Sequence, residues 1–184
     1  MAWKESHKQV SRERILTAAA KLFTHKGFDQ VGIDDVMQTA GMTRGAFYAH
    51  FSSKTELYEQ AIINAGLAAA AHFNEGKLSL DELINRYLSQ AHLRSNDIRC
   101  PLPCLVSDMA HEDERVKHTY TKILKGFTQH LDAIAEGKSN ADTVLLQAVL
   151  LIGGMAVARS ITDEKLSKKI LSVCSEAAKN AAVS

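Results

Sequence analysis

Thr43, Arg44, Gly45, Ala46, Tyr48, His50 and Lys54 fall within twelve consecutive positions of this 184-residue chain. Their types suit contact with nucleic acid. Arginine is the commonest side chain to read guanine in the major groove. Hydroxyl, imidazole and ammonium groups suit phosphate and sugar, which fix register without reading sequence. Gly45 and Ala46 are small, so a helix carrying them can bring its end close to base edges. The expectation is that Arg44, Ala46 and Tyr48 face a major groove, with Thr43, Tyr48, His50 and Lys54 on phosphates.

The flanking residues supply elements that place this cluster. Ile33, Val36, Met37 and Ala40 share one face of a helix spanning about 33–39. Asp34 and Asp35 lie in its first turn, where carboxylates favour the positive end of the helix dipole. Gly41 breaks the helix, and Thr43 is an N-cap type for a second helix over 43–51. Phe47 and Phe51 are four apart and can anchor that helix on one side. This is the pattern of a helix-turn-helix. A preceding helix over 10–26 carries Ile15, Ala18, Ala19, Leu22 and Phe23 as its apolar stripe and stops at Gly27. Ser53 and Glu56 form a capping box for a fourth helix over 54–72.

Residues Ile15, Ala18, Ala19, Leu22, Phe23, Gly27 and Phe28 carry a wider resemblance. It continues through Ala40, Gly41, Met42, Thr43, Gly45, Phe47, Tyr48, His50 and Phe51 to Lys54, Leu57 and Tyr58. In this order they closely resemble the DNA-binding domain of the TetR family of bacterial helix-turn-helix transcriptional regulators. Gly32 and Ile33 stand where many members carry Thr or Ser, which leaves no hydroxyl at that helix start. The resemblance implies an all-α, nine-helix fold. A three-helix DNA-binding domain over 8–54 would precede a ligand-binding and dimerisation domain over 55–184. It also implies a homodimer on a palindromic operator, joined through the last two helices (141–161 and 163–181). A small-molecule effector would release it.

Composition agrees with a helical protein: 46% hydrophobic, 23% charged, two prolines and ten glycines. The net charge of +1 says little, but residues 1–54 hold eight basic against five acidic groups and the rest 14 against 16. A basic end and an acidic remainder fit DNA binding at one end. The charged N-terminus lacks the apolar stretch of a secretory leader. The longest apolar stretch, 144–158, falls short of the ~20 residues of a membrane span. Three cysteines suit a reducing compartment. The expectation is a cytoplasmic protein without a membrane partner.

Beyond residue 78 the helical pattern continues. Ser79 and Glu82 cap one helix bearing Leu80, Leu83, Ile84, Tyr87, Leu88 and Ala91. A short helix over 103–111 precedes one over 112–136, and Gly153, Gly154 and Ala156 would allow close helix approach in the helix over 141–161. Flexible joints are expected around Asn96 and at 75–78.

The run Arg99-Cys100-Pro101-Leu102-Pro103-Cys104 offers a second chemistry. Residues before proline favour extended backbone, so Cys100 and Leu102 are expected there. Pro103 would open the next helix and place Cys104 in its first turn, where thiolate is favoured. Oxidation or electrophile modification of Cys100 and Cys104 would then be a switch; the contrasting reading is two small buried residues. Cys174 lies on an apolar face and reads as core. Candidate effector-pocket positions are His92, Met109, Tyr120 and Phe127, with Cys100 and Cys104 at the edge. His111 and His118 beside Asp108, Glu112 and Asp113 read as surface groups, and no metal or cofactor is expected. The chain lacks a phosphate loop, a nucleophile elbow and a metal-ligand motif. The one enzymatic pairing, Cys104 with His111, is spaced about 10 Å along a helix, so no catalysis is expected.

Overall fold

The computed structural model describes residues 2–73, 78–137 and 139–181. Among them every regular element is helical: α1 (Ala2–Lys26), α2 (Ile33–Thr39), α3 (Arg44–Phe47), α4 (Lys54–Phe73) and α5 (Leu80–Tyr87). Then come α6 (Gln90–Leu93), α7 (Pro101–Cys104), a 3-10 turn at Asp108–Ala110, α8 (Glu114–Ile134), α9 (Ala141–Ser160) and α10 (Glu164–Asn180). The chain divides into two compact units, Met1–Ala68 with Asp97–Tyr120, and Ala69–Asn96 with Thr121–Ser184.

The first unit is built on aromatic burial. Ile15, Ala19 and Phe23 of α1 are buried, as are Val36, Met37, Phe47, Phe51, Leu57 and Tyr58. Phe23 meets Tyr58 edge-on at 4.8 Å, and Phe28 lies 4.8 Å from the same ring. Such pairs add to burial through their ring quadrupoles. Gly27 ends α1 with φ +79°, and its N–H donates to the Phe23 carbonyl at 2.9 Å. Asp108 is tied to the same bend: its Oδ2 accepts the Phe28 N–H at 3.3 Å.

The second unit is organised by α9 on α10. Val144, Ala148, Leu151, Met155 and Ala158 are buried along one side of α9 at alternating spacings of four and three, the rhythm of a helix seam. Asn140 caps α9 by accepting the Thr143 N–H at 2.8 Å, and Asp163 caps α10 by accepting the Lys165 and Leu166 N–H groups. Gly154 has no side chain because Cys174 fills its place: a Cβ there would lie 2.8 Å from the Cys174 Sγ. Gly154 is therefore used within the chain, whereas nothing lies within 4 Å of a Cβ placed on Gly153. Cys174, expected in the core, is half-buried at this contact.

Several local expectations change. α1 starts at Ala2, not near Val10. The single helix expected over 80–91 is two, because Ser89 leaves the helix and caps α6 by accepting the His92 N–H at 3.0 Å; this raises the α-helix count to ten among the described residues. Pro101, not Pro103, opens α7, and Leu102 is helical. The proline ring fixes φ at a helical value and needs no donor at a first turn. The Glu56 carboxylate returns to the Ser52 N–H at 2.8 Å, one residue before the expected Ser53, whose Oγ accepts the Glu56 N–H at 3.0 Å. The joint expected at 75–78 lies, except for Leu78, outside the described residues. α9 spans 20 residues and holds an 18-residue window of mean hydropathy 1.8, so by length and composition alone it could cross a bilayer; 44% of that window is buried within the protein.

Gly154→Ala forces a methyl against the Cys174 Cβ at 2.9 Å. Urea denaturation is expected to show a loss of about 1–3 kcal/mol, the usual cost of overpacking, while Gly153→Ala leaves the second unit's packing intact.

Candidate nucleic-acid interface

Gly32 is the N-cap of α2, and its N–H donates to the Asp35 carboxylate at 2.7 Å. The turn that follows depends on Gly41 at φ +65°, a conformation that costs glycine nothing. Arg14 of α1 pins this bend by donating from Nη2 to the Ala40 carbonyl at 2.7 Å. Thr43 then takes the N-cap position of α3, but its hydroxyl makes no capping hydrogen bond. The group is therefore not committed to the helix it opens.

α3 is shorter than the sequence suggests. Regular helix covers only Arg44–Phe47, and Tyr48 is its C-cap. Beyond it the His50 N–H bonds back three residues to the Phe47 carbonyl, and the Phe51 N–H bonds back four, to the same carbonyl. The helix tightens into a 3-10 turn where it ends. Phe47 is fully buried and its ring lies 5.8 Å from that of Phe51.

On that anchor the polar cluster faces outward. Thr43, Arg44 and Gly45 are exposed, Ala46 is half-buried, and Tyr48 is 62% exposed with its ring edge-on to Phe47 at 5.1 Å. Arg44 donates from Nη1 to the Asp34 carboxylate at 2.7 Å, and both side chains are largely exposed. The sequence assigned Asp34 only to the helix dipole; a pairing ten residues away across a turn has no signal in periodicity. A Cβ on Gly45 would meet nothing within 4 Å. Nothing inside the protein therefore requires a glycine there.

The last two candidates differ in character. Lys54 is half-buried with its Nζ 4.0 Å above the Phe28 ring, a cation–π contact that holds the ammonium near the domain. His50 is half-buried, and its Nδ1 has no hydrogen-bond partner among the described residues. Burial first, then the positive charges of Lys8 and Arg12, hold the imidazole below its ordinary pKa of 6.5. His50 thus offers a hydrogen bond rather than a charge near neutrality. Lys8 and Arg12, two of the basic groups of the N-terminal end, bring positive charge to this side of α1.

Residues 15–61 match the family described as bacterial regulatory proteins, tetR family. Residues 15–61 form a TetR-family DNA-binding domain. An uncharacterised HTH-type transcriptional regulator of Mycobacterium tuberculosis is 36% identical over 113 residues, covering 58% of this chain and 57% of that protein. The HTH-type transcriptional regulator TtgR of Pseudomonas putida is 35% identical over 75 residues, 41% of this chain and 35% of its own. These matches thus span 57% and 35% of the two curated relatives' lengths. Among solved structures, the reduced form of Escherichia coli NemR superposes with a TM-score of 0.76 at 18% identity, covering 92% of this chain and 95% of that one. A TetR-family regulator from Cytophaga hutchinsonii gives 0.78 at 14% identity, over 95% and 96%. At these identities the likeness establishes the all-helical TetR fold.

The other expected positions divide between the two units. In the first, Tyr120 donates its hydroxyl to the Leu102 carbonyl at 2.6 Å. Burial pushes the phenol up, and Cys100 and Cys104 push it further. Cys100 and Met109 are buried and Cys104 half-buried, with neither cysteine in a disulfide. In the second, the His92 Nδ1–H donates to the Tyr87 carbonyl at 2.6 Å. The Tyr87 ring lies 4.8 Å from His92 and 5.4 Å from Phe127. His111 and His118 are exposed, and no group of three or more His, Cys, Asp or Glu among the described residues is placed to hold a metal.

Gly45→Ala is expected to stabilise the protein by about 0.5–1 kcal/mol, since the helix gains a better former and meets no neighbour, while weakening DNA binding because the added methyl faces outward. Thermal melts and fluorescence anisotropy on one sample check both signs. For His50, the unfolded chain takes up its proton first as pH falls. Its contribution is thus complete above about pH 6.5 and is lost as pH drops through the lower folded value. The melting temperature is expected to fall between pH 7 and 5, with a shallower fall for His50→Gln.

Proposed function

We propose that this protein is a sequence-specific, double-stranded-DNA-binding transcriptional regulator, acting as a repressor that leaves a palindromic operator when an effector binds. The carrying observation is the outward set Thr43, Arg44, Gly45 and Tyr48 on the buried Phe47, inside a TetR-family domain. Arg44 reads a base, Ala46 and Tyr48 line the groove, and Thr43, Tyr48, His50 and Lys54 take phosphates. The reading assigns no catalytic step and a cytoplasmic location.

Dimerisation through α9 and α10 supports the operator reading. Leu145, Leu146, Val149 and Val157 of α9 and Leu166 and Val173 of α10 are exposed apolar residues. They lie apart from the buried seam of α9, so each helix has a second apolar face. A matching face on a second copy covers them in an isologous bundle, and two domains then reach half-sites one helical turn, about 34 Å, apart. The effector is a small apolar molecule in the C-terminal part of the chain, and it acts by binding one state better than the other.

A second reading rests on Cys100, Cys104 and the Tyr120 hydroxyl near them. Oxidation or alkylation of these thiols would disturb the α7 segment and release DNA. An oxidant that releases the wild type but not Cys104→Ser supports it; an oxidant without effect leaves the small molecule as effector.

Val149 is 58% exposed, so Val149→Glu is expected to change folding by less than about 0.5 kcal/mol yet turn a dimer into a monomer in sedimentation. It is also expected to lose a selected palindromic duplex. A wild-type protein that selects no duplex from a random pool would overturn the proposal.

A further inference from the structure

The first turn of α2 carries two adjacent carboxylates with different work. Asp35 is committed to its own helix, accepting the Gly32 N–H at 2.7 Å. Asp34 turns away and accepts from the Arg44 Nη1 at 2.7 Å. Its partner is the first residue of α3, and both side chains are more than half exposed, at 66% and 61%. Pairs this exposed contribute little to folding, so the fold does not explain the contact.

Its placement suggests a different purpose. An unrestrained arginine on such a surface has many rotamers and will settle on any phosphate, the source of sequence-independent binding. Here one guanidinium nitrogen is occupied, and the Nε–Nη2 edge remains for a bidentate contact. The carboxylate beside it repels phosphate from the same spot. Gly45, next in sequence, adds no side chain to obstruct the approach.

We propose that Asp34 is a positioning residue that determines specificity: it orients Arg44 for one base pair and discourages it from resting on the DNA backbone. This rests on the DNA-binding reading above.

The test uses the full chain and a duplex selected from a random pool, with single-base variants of that duplex and a random-sequence duplex, titrated at several KCl concentrations. The base pair read by Arg44 is the one at which Arg44→Ala loses discrimination. Asp34→Ala and Asp34→Asn are expected to lose about two- to fivefold of discrimination at that base pair alone. They are also expected to bind random duplex more tightly, with a salt dependence steeper by up to about one counterion. Asp34→Glu keeps the carboxylate and retains part of the discrimination. Adding Asp34→Ala to Arg44→Ala causes no further loss. Ratios of affinities for two duplexes do not depend on the folded fraction, so loss of stability alone leaves them unchanged. Discrimination intact at that base pair, or loss spread evenly over the site, overturns the role of Asp34 while leaving the DNA-binding reading standing. A wild type that selects no duplex overturns both.

Discussion

Everything at the candidate interface hangs on the burial of Phe47. A helix of four residues cannot sustain itself, because nucleation fixes several dihedrals before the hydrogen bonds compensate. α3 persists because it packs on α2 and because its Phe47, with no exposed surface, and Phe51, capped by Arg12 of α1, are buried in the first unit. The outward set is the other side of the same peg. Arg44 and Tyr48 are placed by what Phe47 buries, and Gly41 and the Arg14–Ala40 hydrogen bond decide the angle at which the peg enters.

The first third of the chain is the most legible part of the sequence, and the reason is physical. Its signals are local: apolar spacing in α1 and α2, a glycine at a positive φ, a cap residue, two phenylalanines four apart. Such signals survive without knowledge of tertiary neighbours. Thr43 was readable as a cap position, but whether its hydroxyl caps was not. Long-range pairings had no signature: Asp34 with Arg44, Asp108 with the Phe28 N–H, and Gly154 with Cys174 each join residues that periodicity treats separately. Prolines were readable as a special connection, yet their register was misplaced by two residues, because both Pro101 and Pro103 satisfy first-turn sterics.

α9 illustrates the limits of composition. Its sequence is apolar around most of the helix over 144–158, and its twenty positions together satisfy the length of a bilayer span. The structure separates them into a buried seam at alternating four and three and an outer stripe led by Leu145 and Val149. A helix that is apolar around most of its circumference needs two partners. Here α10 supplies one, and the outer stripe is left for the other.

The contact between Gly154 and Cys174 also gives the second unit an internal gauge. Burial pushes the Cys174 thiol up, and only thiolate attacks alkylating reagents. With its sulfur against Gly154 on one side and the residue half-buried, an added group is crowded wherever it meets α9. The rate at which this thiol is labelled therefore follows how tightly α9 and α10 are held together, read from a natural residue with no probe introduced.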